Sequence, residues 1–503
     1  MSWWTAASRR CDGGPLSDYP SFVPNLIGGA DRPAASGAQV DILSPHSGQA
    51  IGRLARSAAA DVDLAVQSAR AAQPAWASTP GVRRGEILHA VANLLEARGA
   101  ELAEVVALEA GKRLPDAKGE AGAAVQCARF FAGEGQRLFG RTMTSGTPHR
   151  WAMTVRRPCG VAALIAAANT PAPNFAWKVF PALICGNGVV LKPAEDTPAS
   201  AWLMAKLAEE AGLPAGLLNV VHGLGAEVGP PLTGHPGVDV ISFTGSTRVG
   251  REIAERAGRE LKKVSLELGG KNALIVCDDA DLDNAVHWAR LSAYSNAGQR
   301  CAAASRIIVF DAVYDAFVAK FIAATQTLKL GVEPDCDLGP VINERQLKAM
   351  CAAVDRAVAA GARVLAGGGR ATGAGLSGGF YMQPTVLEGV SPDAEVSGLE
   401  LFGPVPVIYR VSGFDEAIAL ANASPYGLTA AIHTLDVDRA LTFVERIDTG
   451  VAVVNAGAHG SEPHMPFGGV KASGNGTREP GTEALDVYSE LKDVYVNVRP
   501  ERV

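Results

Sequence analysis

Val189-Val190-Leu191-Lys192-Pro193-Ala194-Glu195 reads as an aliphatic strand that stops at a proline and then presents a carboxylate. The pattern repeats on both sides of it. Upstream, residues 161–166 form a strand followed by a turn and a helix through 176–184. Downstream come helix 198–212, strand 218–221, a short helix at 226–233, strand 238–243, helix 247–258 and strand 263–268. Strands alternating with helices predict a doubly wound parallel sheet covered on both faces. Ligands settle at the carboxyl ends of such strands, where Glu195 could accept both hydroxyls of a ribose. Taken alone, Lys192 and Glu195 also fit a solvated loop pair.

A second alternating set begins with strand 272–276. It continues through strand 306–310, helices 312–328 and 344–360, strand 363–366, helices 414–421 and 437–446, and strands near 405–410 and 451–454. Ahead of both sets, residues 1–40 are rich in Gly, Pro, Ser and Ala, which predicts an irregular surface arm. A short strand at 41–45 and helices from Asp61, at 82–97, 99–110 and 115–138, follow. Residues 142–157 alternate loosely, with Trp151, Met153 and Val155 on one face of a hairpin. The β-rich tail 486–498 needs an edge to pair with, which points to a neighbouring subunit. The fold class expected is α/β, two doubly wound α/β lobes plus a small β oligomerisation element.

Composition narrows the function. With 46 basic and 52 acidic residues, a net charge of -6 and no block of like charge, neither nucleic acid nor an anionic membrane is an expected partner. Cysteines at 11, 127, 159, 185, 277, 301, 336 and 351 form no CxxC pair, so neither a metal site nor a disulfide framework is expected. Residues 1–10 lack the apolar core of a signal peptide, and the longest apolar stretch, 161–168, is far short of the ~20 residues of a membrane span. The expected location is cytoplasmic.

Chemistry concentrates in a few stretches. Ser295-Asn296-Ala297-Gly298-Gln299-Arg300-Cys301-Ala302-Ala303-Ala304 sets one thiol among small residues just before a strand, open to a substrate carbon. The alternative is a small buried hydrophobe. In Leu266-Glu267-Leu268-Gly269-Gly270-Lys271 a carboxylate ends an apolar strand, where desolvation should raise its pKa and suit it to general base catalysis. A structural salt bridge is the other reading. Phe243-Thr244-Gly245-Ser246-Thr247 opens a helix straight from a strand; its N–H groups and the Ser246 hydroxyl suit a pyrophosphate, or Ser246 is a plain N-cap. Gly223-Leu224-Gly225-Ala226-Glu227-Val228-Gly229 is like a dinucleotide glycine loop, though one residue longer and placed after the acid.

Glu267, followed 34 residues later by Gly298-Gln299-Arg300-Cys301, resembles the aldehyde dehydrogenase superfamily. Asn169 eight residues before Trp177-Lys178, Leu191-Lys-Pro-Ala-Glu195, Phe243-Thr-Gly-Ser246, Glu400-Leu-Phe402-Gly-Pro404 and Pro466-Phe467-Gly468-Gly469 stand in family order, over roughly residues 40–498. One departure lies in the tunnel-bordering loop, where the family's common Pro-Trp-Asn-Phe-Pro is Ala168-Asn169-Thr170-Pro171.

The resemblance implies an enzyme that oxidises a small-molecule aldehyde to its acid with NAD, NADP being the alternative cofactor. Cys301 would be the nucleophile, its pKa lowered, with Glu267 the base for hydrolysis, Asn169 an oxyanion donor and Lys178 a proton-relay or cofactor-contacting partner. Lys192, Glu195, Gly225, Gly229, Ser246, Leu268, Glu400 and Phe402 would hold the cofactor. Trp177, Phe467 and Ser461 would border the substrate. The polar loop 456–465 suggests a short semialdehyde. The corresponding domains are 1–140 with 160–266 for NAD, 267–483 for catalysis, and 141–159 with 484–503 for assembly into a homodimer or homotetramer. A CoA-acylating relative lacks the glutamate equivalent to Glu267; a catalytically silent binding relative would not need the Cys–Glu–Asn set.

Overall fold

The computed structural model describes residues 19–502 except Ala374; Cys11 and the first part of the expected arm lie outside the described residues. Two seven-stranded sheets carry the chain. The first runs in the order Lys263–Glu267, Val240–Thr244, Val161–Ile165, Gly188–Lys192, Leu218–Val220, Asn25–Ile27, Ala30–Arg32. Its first five strands are parallel. Every residue of Val161–Ile165 and Gly188–Lys192 is buried, as a sheet covered on both faces requires. Leu88, Phe131, Phe180 and Leu203 pack in one core, and Val62, Val66, Val228 and Ile253 in another. Strand order reverses between Val161–Ile165 and Val240–Thr244, so a ligand crevice opens at their carboxyl ends.

The second sheet runs Arg363–Ala366, Val386–Glu388, Val407–Val411, Ala304–Phe310, Asn272–Val276, Thr429–His433, Val451–Val454. The chain crosses between sheets at Leu268-Gly269-Gly270-Lys271, which joins the carboxyl end of Lys263–Glu267 to the start of Asn272–Val276. Residues at this crossing therefore face the crevice of the first sheet and the loop ahead of Ala304–Phe310 in the second.

Several expectations are corrected here. Asn25–Ile27, expected within an irregular arm, is a fully buried strand paired antiparallel to Leu218–Val220. The Asn25 side chain binds Ser57 and the His222 N–H, so a short polar strand is held by bonds that composition does not reveal. The helix expected at 176–184 begins at Pro171, because proline in the first helical turn loses no hydrogen bond. The tail has one of its two edges paired within this chain. Ser489–Asn497 pairs along its length with this chain's own Arg150–Pro158, from Ser489 opposite Pro158 to Asn497 opposite Arg150. The hairpin proper is only Thr142–Met143 against that strand.

Candidate active site

The thiol is set by a strained turn. Asn296, Ala297 and Gly298 are all left-handed, with φ of 56°, 53° and 69°. Such a conformation costs a non-glycine residue ~1–2 kcal/mol, so the surroundings must enforce it. A Cβ at Gly298 would stand 2.3 Å from the Gly403 carbonyl oxygen, which leaves room only for glycine. Asn272 Nδ2 donates to the carbonyls of Cys301 at 2.7 Å and Ala303 at 2.9 Å. The Ile342 N–H donates to Gln299 Oε1 at 2.8 Å. Cys301 is thereby fixed at the mouth of Ala304–Phe310.

Asn169, just ahead of the helix Pro171–Ile184, is tied to the same turn. Its Nδ2 donates to the Gln299 carbonyl at 3.0 Å, and the Asn169 carbonyl accepts from Asn296 Nδ2 at 3.0 Å. Lys112 Nζ also donates to that carbonyl. An amide carries two N–H groups, so one remains for an oxyanion. Trp177 and Phe467 meet with ring centroids 5.5 Å apart and pack with Ala302, Leu428 and Cys301.

Glu267 is buried at the end of its strand with both carboxylate oxygens unbonded. Burial, then the charge of Glu479, hold its carboxyl well above the ordinary value, against the pull of Lys178 and Arg478. Lys178 does not reach out to solvent. Its Nζ binds Glu479 Oε2 at 2.7 Å and Ser242 Oγ at 2.6 Å, with both charged partners buried. Ser265 and Tyr488 also donate to Glu479. Glu479 was missed in the sequence, where it stands in a Gly-rich run with no periodicity to mark it.

The expected lowering of the Cys301 pKa is not found. Burial pushes the thiol up to about 12; the charges of Glu400 and Glu267 add to this, and the Ala302 N–H and Arg300 only partly offset it. The lowering was expected because a reactive thiol has to ionise near neutral pH; neither the burial of Cys301 nor its two neighbouring carboxyls can be read from the sequence. The thiol rests protonated, so a base has to take its proton.

The first sheet's crevice fits a dinucleotide. Lys192 Nζ lies 3.2 Å from Glu195 Oε2 at the end of Gly188–Lys192. Burial opposes the Glu195 charge, but Lys192 and backbone N–H groups, Gly225's included, outweigh it and hold the carboxyl below its ordinary value. Ser246 occupies the N-cap of Thr247–Arg259 without a side-chain capping bond, leaving its hydroxyl and the helix N–H groups for an anion. Leu268 packs on Gly250 of that helix, where an added Cβ would come within 2.5 Å of it. Glu400 Oε1 accepts from the Gly270 N–H at 2.9 Å, and burial raises its carboxyl to about 7. Phe402 beside it is left-handed, with φ of 54°.

The glycine loop and Ser461 differ from their reading. The glycine loop is a helix: Gly225 opens Gly225–Thr233 and keeps its place beside Glu195, whereas Gly229 lies inside it. Ser461 is exposed and is not among the side chains packed at Cys301. From the same loop His459 turns inward instead, with Nδ1 3.3 Å from Ser292 Oγ. Among the described residues no group of His, Cys, Asp or Glu could hold a metal ion.

Comparison with known proteins adds to this geometry. The model of the aldehyde dehydrogenase family matches residues 32–494. Alpha-ketoglutaric semialdehyde dehydrogenase of Bacillus subtilis is 37% identical over 475 residues, 94% of this chain and 97% of the relative. The NADP(+) succinate-semialdehyde dehydrogenase GabD of Escherichia coli is 39% identical, over 93% of this chain and 96% of its own. The crystal structure of betaine aldehyde dehydrogenase from Staphylococcus aureus in complex with NAD+ is similar at a TM-score of 0.93 and 33% identity, covering 95% of each chain.

Proposed function

Because the chain belongs to the aldehyde dehydrogenase family, we propose that it oxidises a short semialdehyde to the corresponding dicarboxylic acid with NAD, NADP being the alternative, through a thioester on Cys301. The observation that carries this is the convergence at the sheet crossing: a half-buried thiol beside a buried carboxylate with no bond of its own. Semialdehyde dehydrogenases among the relatives support the substrate class.

Bound cofactor supplies the hydride acceptor. The chain does the rest. Cys301 Sγ passes its proton to a water molecule and adds to the aldehyde carbon, and the free Asn169 N–H with the Cys301 backbone N–H stabilises the oxyanion; one such donor is worth about 3 kcal/mol of barrier. Loss of hydride leaves a thioester. Glu267 takes the proton of an attacking water, and the acid departs. Lys178 with Glu479 offers a buried route for that proton. A glutamate in this place favours water over CoA as the acyl acceptor. The test is the rate of reduced-cofactor formation with succinic and 2-oxoglutaric semialdehyde against hexanal; a preference for hexanal contradicts the substrate class.

Glu195 sets the cofactor preference. An ionised carboxylate at the 2′-hydroxyl repels a 2′-phosphate. Glu195→Ser is expected to lower the ratio of kcat/KM for NAD over NADP about tenfold, equivalent to about 1.4 kcal/mol. An unchanged ratio removes Glu195 from the ribose.

For assembly, the proposal is a homodimer or homotetramer built on the strand pair Arg150–Pro158 and Ser489–Asn497. Trp151 stands opposite Val496 on one face and is 61% exposed, while Leu491 and Tyr495 are exposed on the other. Apolar surface of this kind needs a cover. Trp151→Asp with Val496→Asp should give monomers by light scattering with the circular dichroism unchanged. Wild type that is already monomeric contradicts it. Among the described residues no helix is long and apolar enough to cross a membrane, and a cytoplasmic location is proposed.

A further inference from the structure

The crossing between the two sheets is shaped around one side chain of another loop. Glu400 lies across Gly269 and Gly270. Its Oε1 accepts from the Gly270 N–H at 2.9 Å, and a Cβ added at Gly269 would collide with its Oε2. The next residue, Lys271, is buried, yet its Nζ has no hydrogen-bond partner. Lys271 and Glu400 line one small cavity beside the thiol turn, with Arg300, Ser305 and Phe402, and each acts on the titration of the other.

A buried ammonium without a partner is costly, and its surroundings add to the cost. Arg306 stands beside it, with its guanidinium bonded to the carbonyls of Lys271, Leu420 and Ala421. Burial, then the charge of Arg306, push the Lys271 ammonium down to about 7 against the pull of Glu400. Burial raises the Glu400 carboxyl to about 7, while the Gly270 N–H and Lys271 pull it down. Among the described residues Lys271 is the one cation that acts on this carboxyl. The other titratable groups around Glu400 are Cys301 and Tyr426, both of which it raises, and Arg300 across the cavity. Because Glu400 acts on Cys301, it stands at the reacting end of the site, where the nicotinamide half of NAD has to receive hydride.

We propose that Lys271 is a positioning residue for the cofactor: across the cavity it keeps Glu400 ionised at neutral pH, ready to accept the hydroxyls of the nicotinamide ribose. The proposal rests on NAD as cofactor and on Glu400 as one of its contacts, and adds the charge that prepares this contact. A carboxylate accepts from two hydroxyls at once, whereas the protonated acid turns one oxygen into a donor. NAD affinity therefore falls as pH drops through the Glu400 carboxyl. The Lys271 charge is itself lost on the alkaline side, where Glu400 ionises unaided, so Lys271 acts near neutrality.

The experiment is isothermal titration of NAD and of AMP, without aldehyde, from about pH 6 to about pH 9, in wild type, Lys271→Met and Glu400→Gln. At about pH 7 Lys271→Met should bind NAD roughly fivefold more weakly than wild type, and within about twofold of it at about pH 9. The midpoint of its pH dependence should rise by about one pH unit. AMP lacks the nicotinamide half and should bind the Met variant within about twofold of wild type, which shows that the variant is folded. Equal weakening of NAD at every pH, or of NAD and AMP alike, would show that Lys271 only supports the fold and would overturn the proposal. So would a wild-type NAD affinity that does not change over this range. Unchanged NAD binding in Glu400→Gln would instead remove Glu400 from the cofactor, and with it the contact on which the proposal rests.

Discussion

Cys301→Ala is expected to lower aldehyde oxidation by on the order of 10⁴-fold or more, to the background of the assay. The other described cysteines cannot substitute: Cys127, Cys185 and Cys277 are buried in the cores, and none packs with Trp177 and Phe467 as Cys301 does. Binding of NAD should persist within a few-fold. Its expected contacts lie mostly on the other sheet from the thiol turn, Lys192, Glu195 and Ser246 among them. Isothermal titration for the cofactor alongside steady-state turnover checks both halves. Turnover above a trace in the Ala variant would remove Cys301 from the chemistry.

Glu267→Gln should split the reaction in two. An amide cannot take a proton from water, so hydrolysis of the thioester is expected to slow by about 10²- to 10⁴-fold. Rapid mixing should show a burst of reduced cofactor near one equivalent per site, then a slow steady state. Loss of the burst would move the role of Glu267 upstream, to the proton of the Cys301 thiol. In the wild type, hydrolysis needs the ionised carboxylate. With its pKa held above the ordinary value, the rate should rise with pH through that raised pKa and fall away on the acid side. Glu479→Gln removes a charge that raises it and frees Lys178, which lowers it, so the midpoint should move to lower pH.

The strands of the site were legible because they are aliphatic runs, and the site residues sit where those runs stop. Val189 to Glu195 and Leu266 to Lys271 show both the strand and the group it delivers. The left-handed turn at Asn296–Gly298 could not be read, since nothing in Asn-Ala-Gly announces strain imposed by Gly403. Helix Leu282–Tyr294, capped by Asp281, and the strand Thr429–His433 went unnoticed, the strand because its small residues carry little β signal. Glu479 reaches Lys178 across 301 residues of sequence, a contact no local pattern encodes. The pKa of Cys301 ran opposite to expectation because burial raises it most, and Glu400 and Glu267, closing on it in space, add to that. Ser461 and His459 illustrate the limit for loops: both are polar, and only the path of the chain decides which one faces inward.

The most direct test of the account is to trap its covalent intermediate. Glu267→Gln incubated with NAD and succinic semialdehyde, quenched in acid and digested, should yield the peptide containing Cys301 heavier by one succinyl group, with no such gain when NAD is omitted. An unmodified Cys301 peptide after a full burst of reduced cofactor, or the acyl group on another residue, would contradict a thioester on Cys301.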